Sequence, residues 1–453
     1  MKITNTSKRT SRRAGAKARG VMALTAIAAA ALVVACSTSE LLTVQVPNSV
    51  NASIFDNPAY AVLMVNSVIG DYECAFGGFV TTEGIATDEL QDASLTAANW
   101  QLDRRDDGFT SGSYGTNSCT TTEGLYTPLS TARWEADSAL GRLAGWTVTQ
   151  VPTITTLTAE ANLYAGFSYA NLGVSMCQAA FDKGPLVAQG GMFALAEARF
   201  TSAIAAAQTA GLTNILNAAY VGRARVRLFQ HNAAGAIADA QLVPAGFVFN
   251  ATMDATNPRR FSHVFTAIST NGSATVEASA RALTTENGQV DPRSATTKLT
   301  TKPGDGVSLI FIPNKDNAAT LTAGEAIPMP IARYEEAQLI LAEAQGGAAA
   351  VTIINTMRAA VSLLPYTGPT DAASITNLII SERQRVLFVE GFRAFDIERF
   401  TLALTPAAGS AYREGGVYGH TVCLPIPDIE VQNNPNIVPG QILDGVQGHV
   451  PVP

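Results

Sequence analysis

Residues 382–400 read E-R-Q-R-V-L-F-V-E-G-F-R-A-F-D-I-E-R-F, a stretch in which charged and aromatic side chains are interleaved. The spacing predicts one long helix, because Phe388, Phe392, Phe395 and Arg399 then fall on a single stripe. Three rings on that stripe need a partner surface, so the segment can only close a helical core. Glu382, Arg383, Arg385, Glu390, Arg393, Asp396, Glu398 and Arg399 surround the stripe. Glu390 with Arg393, and Asp396 with Arg399, are i,i+3 neighbours of opposite sign that can pair along a helix. Gly391 costs about 1 kcal/mol against alanine in a helix interior, which implies a close backbone contact there. Taken singly, these charges read as a charged amphipathic helix rather than as a catalytic cluster.

The rest of the chain supplies the helices that such a segment would close. Asn57-Pro58 makes a helix start, with proline at the first helical position and an apolar pattern running to about Tyr72. Helical pattern returns from Leu125 to Trp146, and the stretch from Leu157 to Val243 reads as four helices in two antiparallel hairpins. Leu157, Ala161, Tyr164 and Ser168 mark the first, Phe193, Phe200, Ile204 and Ala207 the second, Tyr220, Ala224 and Leu228 the third, Ile237 and Ala240 the fourth. Small residues at the crossings permit close packing of the tetratricopeptide kind. Tyr164/Ser168/Leu172 and Tyr220/Ala224/Leu228 share one internal spacing at an offset of 56 residues, so the repeat is degenerate, with an enlarged turn around Cys177–Gly191. Residues 91–119 are polar and rich in Gly, Ser, Thr and Asn, long for an irregular loop and therefore a candidate functional segment. Residues 245–330 lose helical period, with Val307–Ile312 as a candidate strand, and helices resume at Ile331–Gln345 and Ala348–Leu364.

The pattern of residues 382–400, E-R-x-R-x-L/F-x-x-E-G-x-R-x-F-D-I/L-x-R-F/W, resembles the late signature helix of the SusD/RagB family of nutrient-uptake lipoproteins, with Glu390, Gly391, Arg393, Asp396 and Arg399 as its structural signature. Other elements are similar in the same order. Leu41-Leu42-Thr43-Val44 with Pro47 resembles the family's opening element, and Asp88-Glu89 its early acidic pair. Asp291-Pro292-Arg293, R-Y-E-E-A-Q-L-I-L-A-E-A from Arg333, Asn355 with Arg358, and Leu424-Pro425-Ile426-Pro427 followed by Glu430 and Asn434-Pro435-Asn436 follow in turn. The resemblance implies a mostly α-helical fold built on degenerate tetratricopeptide-type helix pairs, with a less regular region of loops and short strands. The helical repeat core is expected at about 157–243 and 331–404, inside one domain spanning 57–453.

The first 35 residues read as a lipoprotein signal peptide. Lys2, Lys8, Arg9, Arg12, Arg13, Lys17 and Arg19 precede an apolar run from Val21 to Ala35, with no acidic residue before Cys36. Val33-Val34-Ala35-Cys36 looks like a lipobox, which makes Cys36 the expected lipidation site and residues 36–56 a lipidated tether. Arg12-Arg13 leaves the export route open. Removing the seven leader charges from 30 basic residues leaves 23 against 37 acidic ones, a net charge near −14. That balance argues against nucleic acid as a partner. Cys74, Cys119, Cys177 and Cys423 are an even set in an exported chain and read as two disulfides. Of the three possible pairings, Cys74–Cys119 and Cys177–Cys423 are preferred.

No nucleophile elbow, zinc-binding H-E-x-x-H, phosphate-binding loop or dinucleotide fingerprint occurs. The four histidines are scattered and no C-x-x-C is present, so neither a cofactor nor a metal site is expected. The chain reads as a binder and not an enzyme. A glycan site needs flat aromatic faces with carboxylates, amides or guanidinium groups beside them. Of Trp100, Trp134 and Trp146, Trp134 reads as core, Trp146 ends its helix, and Trp100 lies within the polar loop. Trp100, Asn99, Asp103, Arg105, Phe109 and Tyr114 are therefore the candidate ligand contacts. The resemblance implies capture of an oligosaccharide and its delivery to a SusC-like TonB-dependent outer-membrane transporter. The same fold binding peptides or another non-glycan nutrient, or a tetratricopeptide-type scaffold holding a protein, are the alternatives.

Overall fold

The computed structural model describes residues 52–449. The signal peptide, Cys36 and the tether as far as residue 51 lie outside the described residues. Asn57 caps the first turn as expected, its side chain accepting from the Ala59 amide with Pro58 at the first position. Helix α1 (Ala61–Ile85) then runs well past Tyr72 and is buried along most of its second half. Two short helices follow, α2 (Ala97–Asp103) and α3 (Ser113–Thr116), so the polar stretch 91–119 is not irregular throughout. Helix α4 (Tyr126–Ala144) leads to α5 (Ile154–Ser175), α6 (Gln189–Ala210), α7 (Thr213–Phe229) and α8 (Ala233–Ala240), the two expected hairpins.

Close approach in these hairpins depends on glycine. Phe200 of α6 is fully buried, and a Cβ at Gly166 of α5 or Gly222 of α7 would overlap its ring. Burying a phenylalanine stabilises by about 1.5–3 kcal/mol, which here requires both neighbours to lack a side chain. Phe167 meets Phe200 edge-on at 4.9 Å, and Phe193 packs on Phe229 at 5.4 Å. The enlarged turn between α5 and α6 is an antiparallel pair, β2 (Gln178–Ala180) with β3 (Leu186–Ala188).

The short strands pair only in twos. Strand β1 (Leu90–Asp92) pairs with β5 (Ala274–Val276), β4 (Val248–Ala251) with β8 (Met329–Arg333), and β6 (Thr296–Lys298) with β7 (Phe311–Pro313), all antiparallel. The expected helix at Ile331 therefore starts later. Residues 329–333 join a strand pair, and α9 (Tyr334–Gln345) begins only after them. Helices α10 (Gly347–Ala360) and α11 (Ala372–Val386) complete a second hydrophobic cluster, in which Leu339, Ile354, Leu378 and Phe392 pack together.

The signature segment is not one helix. Helix α11 stops at Val386 and α12 (Arg393–Arg399) starts afresh, because Val389 (φ 51°) and Gly391 (φ 79°) both take left-handed backbone. A Cβ at Gly391 would collide with the Phe79 ring, which is the close contact expected there, made to a side chain. The three rings remain buried but no longer share a stripe. Phe395 packs on Phe229 at 4.6 Å, while Phe392 lies under the Arg225 guanidinium at 4.8 Å.

Breaking the helix also redistributes its charges. Glu390 does not pair with Arg393. It accepts from Lys315 and Arg333, and Arg393 makes a two-pronged bond to Asp88 at 2.6 and 2.7 Å. Asp396 does meet Arg399 at 2.9 Å, and Arg383 as well at 2.7 Å. Glu382 gathers Arg358, Arg385 and Arg293, and the Asp291 carboxylate holds Arg293 from the other side. These cations hold Glu390 and Asp396 below the usual carboxylate range despite burial. Both disulfides form as preferred, Cys74 with Cys119 and Cys177 with Cys423. Helix α13 (Asp428–Asn433) lies near the end of the described chain, and no helix among the described residues is long and apolar enough to cross a membrane.

Candidate functional site

The polar stretch after β1 is anchored at its entry. Ala93 donates to the Ser273 carbonyl at 2.7 Å, and the Asp92 carboxylate accepts from the amide and hydroxyl of Ser94 at 3.1 and 2.8 Å. From there α2 and α3 wall a cavity of about 500 Å³ that faces the segment around Thr266, Asn271 and Ser273. Most of the residues that line it carry a hydroxyl or an amide, with threonine methyl groups and Ala98 between them. Ser94, Thr96 and Asn99 come from the α2 side, Ser113, Thr116 and Asn117 from α3, and Thr120–Glu123 from the segment beyond. The Cys74–Cys119 bridge ties that last segment to α1, and Asn117 holds it by donating to the Glu123 carbonyl at 2.8 Å.

Three polar atoms in this lining are buried and have no partner in the protein: Ser113 Oγ, Glu123 Oε1 and Thr266 Oγ1. Burial pushes the Glu123 carboxyl up, against hydrogen bonds that include one from Asn99. A buried donor or acceptor left unpaired costs on the order of 1–3 kcal/mol. Three such atoms lie beneath the wall of one cavity and leave hydrogen-bonding capacity there unused.

The six candidate contacts divide sharply. Asn99 lines the cavity, whereas Trp100 is half-buried outside that lining, its Nε1 3.5 Å from the carbonyl of Ser94, which does line it. The other four are buried, as Asn99 is, and lie outside that lining. Asp103 accepts from the Asp92 amide at 3.1 Å and the Tyr412 hydroxyl at 2.9 Å, and burial pushes its pKa up to about 7. Arg105 donates to the carbonyls of Thr405 and Pro406 and stacks over Tyr418 at 5.0 Å. Tyr114 donates to the Pro425 carbonyl at 3.0 Å and meets Phe109 edge-on at 5.2 Å. Asp103, Arg105 and Tyr114 join the polar stretch to residues 405–425, and Phe109 packs on Tyr114, which is why the four cannot also face a ligand in this conformation.

Trp134, expected in the core, is 51% exposed. The core face of α4 is instead Leu129, Ala132, Ala136, Ala139 and Leu143, all buried. Trp134 stands two residues from Ala132, about 200° around the helix, and so points the other way. That count was the signal available in the sequence. Among the described residues no group of His, Cys, Asp and Glu is placed to hold a metal ion.

Residues 249–442 match the model of the SusD family. Among solved structures, a SusD superfamily protein from Bacteroides vulgatus ATCC 8482 is 16% identical with a TM-score of 0.58, the match covering 85% of this chain and 99% of that one. A structure titled laminarin binding SusD-like protein is 17% identical with a TM-score of 0.62 and the same two coverages. Surface glycan-binding protein A from Bacteroides fluxus is 15% identical with a TM-score of 0.61, covering 82% of this chain and 96% of that one. At these identities the likeness is one of fold. No curated protein matches the chain in sequence.

Proposed function

From the premise that the chain belongs to the SusD/RagB family, we propose that it binds oligosaccharides at its surface and makes or breaks no bond in them. The observation that carries this reading is the cavity beside α2 and α3, with its lining mostly of hydroxyl- and amide-bearing residues and its three buried, unpartnered polar atoms. Two fold neighbours bear names that state glycan binding, and the ligand class, not the particular glycan, is extended to this chain. Trp100 is the ring assigned to a sugar face beside this site. Burying roughly 60–80 Å² against one ring at about 25 cal/mol/Å² gives about 1.5–2 kcal/mol. With a few hydrogen bonds this yields micromolar to millimolar capture, loose enough for release.

The finer parts of the reading are that Cys36 is acylated, that the protein is held on the outer membrane facing outwards, and that a SusC-like TonB-dependent transporter receives the bound glycan. They rest on the leader, the Val33–Cys36 pattern and the family. A glycan microarray probed with the purified protein tests the ligand class. Retention of at least one oligosaccharide series is expected. A blank glycan array beside clear retention on a peptide array would replace this reading with the peptide one.

A further inference from the structure

A second concavity, of about 450 Å³, opens between the first half of α4, the turn joining β2 to β3, and α13. It is separate in its lining from the cavity around Asn99, although α3 touches both. Ser113 and Thr116 line the first, while Thr127 of the second bonds the Gly115 carbonyl at 2.5 Å. We propose that this groove is a second carbohydrate subsite, with Trp134 as the platform for one pyranose ring. The proposal rests on the glycan-binding reading and extends it to a surface that neither the sequence nor the family resemblance marked.

Four observations carry it. Thr127, Thr131 and Trp134 stand on one face of α4 and all three are exposed, so a flat ring lies open with hydroxyls along its approach. Arg133 lines the groove while 4% exposed, and its Nε has no partner, although the same side chain bonds Asp182 at 2.8 Å. Ser130, also in the lining, hydrogen-bonds the Tyr126 side chain and so holds that wall. The opposite wall is fixed and mixed in character, with exposed Ile429 beside Glu430 and Asn433 on α13. Asp182 and Lys183 are exposed at a turn with left-handed backbone at both positions (φ 54° and 60°), and Asn434 and Asn436 clamp that turn through the carbonyls of Gly184 and Lys183. One open indole between a carboxylate, an ammonium and an unfilled hydrogen-bonding atom matches the two faces of a sugar, apolar C–H on one and hydroxyl on the other.

Two subsites with no lining residue in common would be bridged only by longer chains. The test is calorimetric titration of the full chain and its Trp134→Ala and Trp134→Phe variants with a glycan series that the array identifies, from disaccharide to octasaccharide. Trp134→Ala is expected to weaken the longest members about tenfold, with little change in melting temperature because the ring is exposed. Trp134→Phe is expected to restore most of the loss, and acrylamide quenching of Trp134 should fall when the octasaccharide is bound. Wild-type affinity for every chain length in Trp134→Ala overturns the second subsite while leaving the first standing. Unchanged glycan affinity with lost co-purification of a transporter would reassign the groove to a protein partner and overturn it as well. An array on which the wild type retains no glycan overturns both readings together.

Discussion

The segment at 382–400 and the surface at 94–134 are both rich in polar side chains, and they use them in opposite ways. In the first, Glu382, Arg383, Arg385, Glu390, Arg393, Asp396 and Arg399 each meet a group of opposite charge, and Glu398 accepts from Gln189. The second has few ion pairs and carries mainly hydroxyls and amides beside two cavities; buried polar atoms without a partner occur in both, at Arg385, Arg393 and Glu398 in the first and at Ser113, Glu123 and Arg133 in the second. Paired charges in a protein interior fix how elements meet, whereas unpaired polar atoms beside a cavity are costs that a ligand can relieve. Dense charge pairing makes the first region architecture, and the cavities, not the unpaired atoms alone, support the proposed binding role of the second.

Breaking a pair in the first region should give the largest effect. Arg393→Ala leaves Asp88 buried without its cation, and such a loss costs about 3–5 kcal/mol. Chemical denaturation should show a fall of that size, or no folded protein at all. A change below about 1 kcal/mol would mean that the network is ornamental.

The boundary of the network gives a smaller, pH-dependent effect. Glu89 accepts from the Val389 amide at 3.0 Å, its other oxygen is unpartnered, and burial pushes its pKa up to about 8. A carboxyl whose folded pKa lies above its unfolded value stabilises fully below the unfolded value, near 4.5, and loses that contribution as pH rises through about 8. Glu398, pushed up to about 7, acts in the same direction. Glu89→Gln should therefore raise the melting temperature at pH 8.5 by a few degrees, roughly 1–3 °C, and leave it unchanged near pH 5. An equal shift at both pH values would show that Glu89 is not held protonated.

How much of this could be read from the sequence follows the same division. The hairpins of 157–243 were legible because alanine, glycine and aromatic residues recur at helical spacing and tertiary packing agrees with it. The continuous helix at 382–400 was not, since nothing in the local pattern announces left-handed backbone at Val389. Asp396 with Arg399 was readable because both lie on one helical turn. Arg393 with Asp88 was not, because its partner is 305 residues away. In the polar stretch, Arg105, Asp103 and Tyr114 look like ligand contacts by residue type, yet the C-terminal segment engages all three. Residue type alone cannot separate a side chain that ties two segments from one that waits for a ligand.

The central claim is that the unpartnered atoms around the first cavity belong to a binding site. Ser113→Ala with Thr266→Val removes two of them without opening a broken hydrogen bond, because neither hydroxyl makes one. The account predicts a melting temperature equal to the wild type or slightly above it, together with an affinity about tenfold weaker for the glycan that the array identifies, measured by calorimetry. Unchanged affinity in this double variant would contradict it.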